Sequence, residues 1–177
     1  MFVKNKKYKG FSLIEMIVAI FVFSLIMVIV IGTFISVVNL RKKTKTIQQN
    51  TENAHFVMEQ MAKTLRTSSI LESTETSIQA FDYSQTQCIR YNYNADLHTL
   101  QSEIGTGSSS ECTFTDNDYV DMTSSAIGAA SFVAVKSDSD TRGKVTIALK
   151  VCYDSNDCTG VDRVNIQTTV SLRDYEE

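Results

Sequence analysis

Hydrophobic and polar residues follow three regimes along this 177-residue chain. From Met16 to Ile31 every residue is apolar except Ser24, and the stretch through Val38 brings the run to 23 residues. A bilayer span needs about 20 residues at 1.5 Å rise each, so the run predicts a membrane-spanning helix. A buried core helix would seldom be apolar on every side over so many turns. Beyond Leu40 the pattern narrows to a stripe at Ile47, Ala54, Met58, Met61 and Leu65. Its spacings of 7, 4, 3 and 4 residues place it on one face of an amphipathic helix. Proline is absent and no glycine follows Gly32 in this stretch. One helix is therefore predicted from about Phe11 to Arg66, near 80 Å at 1.5 Å per residue. Gly32 is its weak point, costing about 1 kcal/mol relative to alanine.

After Thr67 the pattern alternates. Val145, Ile147, Leu149, Val151 and Tyr153 share one face, with Lys144, Thr146 and Lys150 on the other. Val164, Ile166, Thr168, Val170 and Leu172 repeat the alternation. Ile89, Tyr91 and Tyr93 form a third run, turned by Asn94-Ala95-Asp96 into His98, Leu100 and Ile104, and Phe132 to Val135 reads as a further strand. Alternation marks sheets with one dry face, and the stripe from Ile47 to Leu65 is the partner for that face. The predicted fold class is α+β: one long N-terminal helix packed on an antiparallel β-sheet head. Ser102 to Thr115, with Gly105, Gly107 and three consecutive serines, reads as an exposed loop.

Composition adds less than the distribution of charge. An apolar content of 43% is ordinary for a globular chain, and a formal charge of −3 shows no basic excess that would make nucleic acid the main ligand. Residues 1–10 hold four lysines and no acid, so their removal would take the charge from −3 to −7. From Phe11 to Val38 the only ionisable residue is Glu15. A cleaved secretory signal shares the basic leader and apolar run, but its apolar core spans about 7–15 residues. No small-x-small site follows the run here; Asn39-Leu40-Arg41 does. Flanking charge does not orient the span, because Arg41, Lys42, Lys43 and Lys45 follow it as the leader lysines precede it.

Between leader and span lies Lys9-Gly10-Phe11-Ser12-Leu13-Ile14-Glu15. A glycine beside a cut lets an extended backbone enter a protease site without Cβ interference. Glu15 sets a costly carboxylate at the head of a membrane segment. Ser12-x-x-Glu15 fits a capping box, with the acid favoured at the helix N-terminus; an amine of a neighbouring subunit is the alternative partner. Here the sequence resembles the type IV pilin and type II secretion pseudopilin family, whose precursors carry a G-F-x-x-x-E processing signal. The resemblance implies that a prepilin peptidase cuts between Gly10 and Phe11 on the cytoplasmic side and methylates the new amine of Phe11. It also implies that Glu15 pairs with a neighbour's amine as assembly starts. Gly32 stands where many relatives carry a helix-breaking proline, so close packing through a small residue and local melting on assembly are both open to it.

The resemblance divides the chain into a leader peptide (1–10), a transmembrane and filament-core helix (11–39), its amphipathic continuation (40–66) and a β-rich head (67–177). A weaker likeness to J-type minor pseudopilins rests on Met58-Glu59-Gln60-Met61-Ala62-Lys63-Thr64-Leu65-Arg66-Thr67 and on Thr168-Thr169-Val170-Ser171-Leu172-Arg173. The expected function is that of a structural subunit, not an enzyme. It would serve in a type IV pilus-like or type II secretion pseudopilus filament, as a minor subunit that helps initiate assembly. A major pilin or a filament-borne adhesin is the alternative, and a membrane-tethered enzyme or sensor a more distant one. The implied partners are other pilin or pseudopilin subunits, the peptidase/methyltransferase, the inner-membrane assembly platform and lipid. The expected location is a single-pass cytoplasmic-membrane protein, N-terminus inside and head outside, and then the filament.

Cys88, Cys112, Cys152 and Cys158 lack the spacing of a zinc site. An even count on an exported domain predicts disulfides, with three connectivities open. The preferred set is 152–158, clamping a hairpin loop, with 88–112. No cofactor or metal is implied. The acidic runs Asp116-Asn117-Asp118 and Asp154-Ser155-Asn156-Asp157 lack EF-hand spacing and read as solvated turns. Ser108, Ser109 and Ser110 lack a nucleophile-elbow context, and His98, set facing a strand, reads as half-buried packing.

Overall fold

A computed structural model describes residues 10–115, 118–137, 142–153, 158 and 163–173. Residues 1–9 of the expected leader and the acidic positions 116–117 and 154–157 lie outside the described residues. One helix, α1 (Leu13–Arg66), is followed by strands of an antiparallel head, so the fold is α+β and pilin-like. The chain divides into two units, residues 1–43 and 44–177.

In the first unit every residue from Phe11 to Val37 is exposed. The helix continues through Gly32, where an added Cβ would meet nothing within 4 Å. The two hydroxyls in the apolar run donate to the helix's own carbonyls, Ser24 to Phe21 at 2.8 Å and Thr33 to Val30 at 2.9 Å. That arrangement suits lipid, which cannot satisfy stray polar groups.

In the second unit the same helix buries Ala54, Val57, Met58, Met61 and Leu65. Val57 widens the predicted stripe by one position, and Ile47 is only half-buried. Against this face pack a sheet in the order β1 (Ser68–Ser73), β2 (Ser77–Asp82), β3 (Gln87–Asn94), β4 (Thr99–Gly107), β5 (Cys112–Thr113), with β6 (Val120–Asp121) also paired to β4. A second sheet has the order β7 (Ile127–Val135), β8 (Lys144–Cys152), β9 (Arg163–Ser171). All pairings are antiparallel. Ile78, Tyr91, Leu100, Val145, Ile147, Leu149 and Ile166 join the helix stripe in one core. The helix end is tied down from just beyond β9 and from the start of β1: the Arg173 N–H donates to the Arg66 carbonyl at 3.1 Å, and the Ser68 hydroxyl to that of Thr64 at 2.8 Å. These bonds satisfy carbonyls that a helix C-terminus leaves open.

Three expectations are corrected, and two strands are added. Ser102 to Thr115 is not a loop throughout: β4 runs to Gly107 and β5 returns at Cys112. Its glycines serve close approach. Phe114 lies against Gly105, where a Cβ would come within 2.7 Å of the ring, and Gly107 holds φ 153° with Cys88 Sγ 3.0 Å from its would-be Cβ. Tyr153 lies beyond the end of β8 and is exposed, because the alternation stops at Cys152. β7 begins at Ile127, ahead of Phe132, since Gly128, Ala129, Ala130 and Ser131 are too small to show an alternation. Strands β1 and β2 were not predicted; buried Ser68 and Ala80 occupy core positions that a hydrophobicity count passes over.

Candidate functional site

The two described residues ahead of Ser12 are exposed. Gly10 is exposed and a Cβ there would meet nothing within 4 Å, and Phe11 is 78% exposed. The helix starts at Leu13, with the amides of Glu15 and Met16 both donating to the Ser12 carbonyl, at 3.1 and 3.2 Å. Gly10 and Phe11 therefore precede the first turn, in non-helical backbone of the kind a peptidase can bind. Glu15 Oε2 accepts from the Ser12 N–H at 3.5 Å, the outer limit of a hydrogen bond. Only that half of the capping box forms among the described residues. The Glu15 carboxylate is exposed, in the first turn of an apolar helix.

Cys88 of β3 is bonded to Cys112 of β5, with Cα atoms 5.8 Å apart, and Cys152 at the end of β8 to Cys158, at 5.5 Å. The first bridge draws the segment after β4 back over the outer face of the first sheet. There Arg90 forms an ion pair with Glu103 through its Nε (3.1 Å) and Nη2 (2.5 Å), and Glu103 is buried. The guanidinium lies 4.5 Å from the centroid of the Phe114 ring and 5.2 Å from that of Tyr119. Asp121 of β6 accepts from Thr99 and Gln101, both at 2.8 Å. Sequence reading missed this cluster; the signal was a charged pair on the polar face of two strands that cross at Arg90 and Glu103.

His98 lies in the β3–β4 turn rather than on a strand, with φ 54°. Its carbonyl accepts from the Ile127 N–H at 3.1 Å, and its buried Nδ1 has no partner among the described residues. The serine run forms the turn from β4 to β5, where Ser108 and Glu111 exchange backbone bonds at 2.8 and 3.3 Å. No group of three or more His, Cys, Asp or Glu side chains converges on a metal position among the described residues. Tyr91, inside the core, has its phenol pushed up to about 12 by burial, with a hydrogen bond to Thr64 opposing and the Asp82 charge adding.

Residues 5–31 match the prokaryotic N-terminal methylation motif. No curated protein and no solved structure matches the chain significantly. The matched segment takes in Gly10, Phe11, Glu15 and the first part of the apolar helix. It supports a subunit of the type IV pilin or pseudopilin type, a class processed by prepilin peptidase that assembles with other such subunits. Proteins carrying this motif are structural subunits rather than enzymes. The apolar helix near the N-terminus fits membrane anchoring.

Proposed function

We propose that the chain is a minor subunit of a type IV pilus-like or type II secretion pseudopilus filament that helps start assembly. The observation that carries this reading is a methylation motif at residues 5–31 leading into a helix exposed on every side, with Glu15 in its first turn. A bare apolar helix needs lipid before assembly and neighbouring helices after it. Residues 1–10 are the leader, 11–39 the span and later filament core, 40–66 its continuation and 67–177 the head. The peptidase cuts between Gly10 and Phe11, and Phe11 becomes the methylated terminus. The N-terminus faces the cytoplasm and the head the outside, and the assembly platform extracts the subunit from the membrane. The J-type likeness at Met58 to Thr67 and Thr168 to Arg173 favours the minor role.

Glu15 acts by receiving the amine of a neighbour's Phe11. The weak 3.5 Å cap supports this, since the carboxylate's main partner then comes from another subunit. Crosslinking of Glu15→Ala to companion subunits in the membrane tests the assignment. Truncating one partner of a desolvated ion pair weakens an equilibrium by several hundred-fold, whereas loss of a cap weakens it by about tenfold or less. Mass spectrometry of the native protein should find methylated Phe11 at the N-terminus in both forms. An intact Met1, or a cut beyond Val38, would refute the processing.

A further inference from the structure

At the end of α1 a buried carboxylate faces a cleft, and none of the described residues forms an ion pair with it. Asp82, the last residue of β2, is 2% exposed. Its Oδ1 accepts from the Thr67 hydroxyl at 3.1 Å, the Ser84 N–H at 2.9 Å and the Ser84 hydroxyl at 2.7 Å. Its Oδ2 accepts from none of the described residues, and none of them forms an ion pair with it. A turn-stapling role accounts for Oδ1 but not for the charge, since an asparagine oxygen would accept the same bonds. The carboxylate also lies close to the C-terminal end of the helix, and Oδ2 is left open toward the cleft.

Asp82 lines a cleft of about 290 Å³ together with Gln60, Lys63, Thr64, Thr67, Ser84 and Gln85. The hydroxyl protons are already committed: Thr64 donates to the Gln60 carbonyl at 3.2 Å, Thr67 to Asp82 and to the Thr64 carbonyl, and Ser84 to Asp82. The hydroxyls of Thr67 and Ser84 therefore offer the cleft lone pairs and the amide oxygen of Gln60 adds to them, while Thr64 also bonds Tyr91 and the Gln85 oxygen accepts from the Gln87 side chain at 3.1 Å. The turn that follows holds Thr86 at φ 55°, a left-handed conformation uncommon for a β-branched residue. Such a conformation persists where its surroundings over-determine it.

We infer that this cleft binds a guanidinium group, seated on Asp82 Oδ2 with the surrounding hydroxyl and amide oxygens as further acceptors. A guanidinium carries donors and no acceptor, and it is hydrated more weakly than an ammonium, so it suits a narrow, acceptor-lined site. A calcium ion takes six to eight oxygen ligands, typically with carboxylates among them. Here a single carboxylate is available and Lys63 stands on the lining. The group could arrive on a free small cation or on an arginine of another protein chain. Asp82→Asn preserves an oxygen for Thr67 and Ser84 while removing the charge.

The test is an amide-shift titration of the full-length chain in detergent micelles, following the Ser84 N–H that donates to Asp82. Arginine amide, lysine amide, calcium chloride and a capped Gly-Arg-Gly peptide are compared at matched ionic strength. Arginine amide or the peptide should give a saturable shift, with lysine amide several-fold weaker and Asp82→Asn at least tenfold weaker. Binding by the amide alone identifies a free cation as the source; binding by the peptide identifies a chain-borne arginine. Lys63→Gln should keep the binding or strengthen it a few-fold. The inference is overturned if neither arginine probe saturates, if Asp82→Asn binds as well as wild type, if Lys63→Gln abolishes binding, or if calcium is the tighter ligand.

Discussion

The two halves of α1 share a backbone and differ in what surrounds them. From Phe11 to Val37 no residue is shielded by the chain, although all but a few are apolar. From Thr44 onward fewer residues are apolar, yet Ala54, Val57, Met58, Met61 and Leu65 are almost completely buried. Hydrophobicity alone does not say what a side chain will be buried against. The first half has apolar residues on every side and no head residues to receive them, so its solvent must be lipid or other subunits. The second half has one apolar face and an apolar sheet to meet it. A single helix thus carries two separate stability problems, one solved by its surroundings and one by its own fold.

Core truncation is the sharpest way to break this comparison. Met61→Ala should destabilise the head by about 2–5 kcal/mol, the range for a fully buried methionine. Ile26→Ala, on a bare helix face, should leave head melting within about 0.5 kcal/mol of wild type. Thermal denaturation in micelles followed by near-UV circular dichroism reads both. Equal losses would show that the halves are not energetically separate.

The next largest effect concerns the bridge across the first sheet. Replacing Cys88 and Cys112 with alanine should cost about 3 kcal/mol on the chain-entropy model for a closed loop of this length. The Arg90 contacts with Phe114 and Tyr119 should loosen with it, raising protease cutting between Gly107 and Asp121. Resistance equal to wild type would mean that the ion pair and Asp121 alone hold the segment.

A smaller effect belongs to pH and only to the head. The fold favours the neutral phenol of Tyr91, whose folded value lies near 12 and whose unfolded value is 10.0. Its contribution is complete below pH 10 and is lost as pH rises toward 12, because the unfolded chain gives up the proton first. The loss should total roughly 2–3 kcal/mol. Tyrosinate absorbance during alkaline unfolding checks it, and Tyr91→Phe should flatten the profile.

The smallest effect lies in the first half. Gly32→Ala should stabilise the helix by about 1 kcal/mol, since the position is helical and open. Amide exchange around Gly32 should slow accordingly. If assembly needs local melting there, the same variant should assemble more slowly while its head stays unchanged.

Much of the molecule was legible in order of residues alone. The unbroken apolar run, the stripe after Ile47 and the alternation in β8 and β9 each declare their element, because burial on all sides, on one helix face or on one strand face leaves a distinct period. The position of Glu15 in the first turn of the helix was legible too, since a charge at the head of an apolar run stands out locally. Strands β1 and β2 were not, because Ser68, Ala80 and Asp82 fill buried places with side chains that do not look buried. The Arg90–Glu103 pair and the Asp82 cleft belong to tertiary structure alone. Arg90 meets Glu103 only through the β3–β4 register. Asp82 lies 15 residues from Thr67, its helix-end partner, and acquires its buried charge only when β2 closes against that end. Periodicity records what each residue is, whereas these sites depend on which distant residue the fold sets beside it.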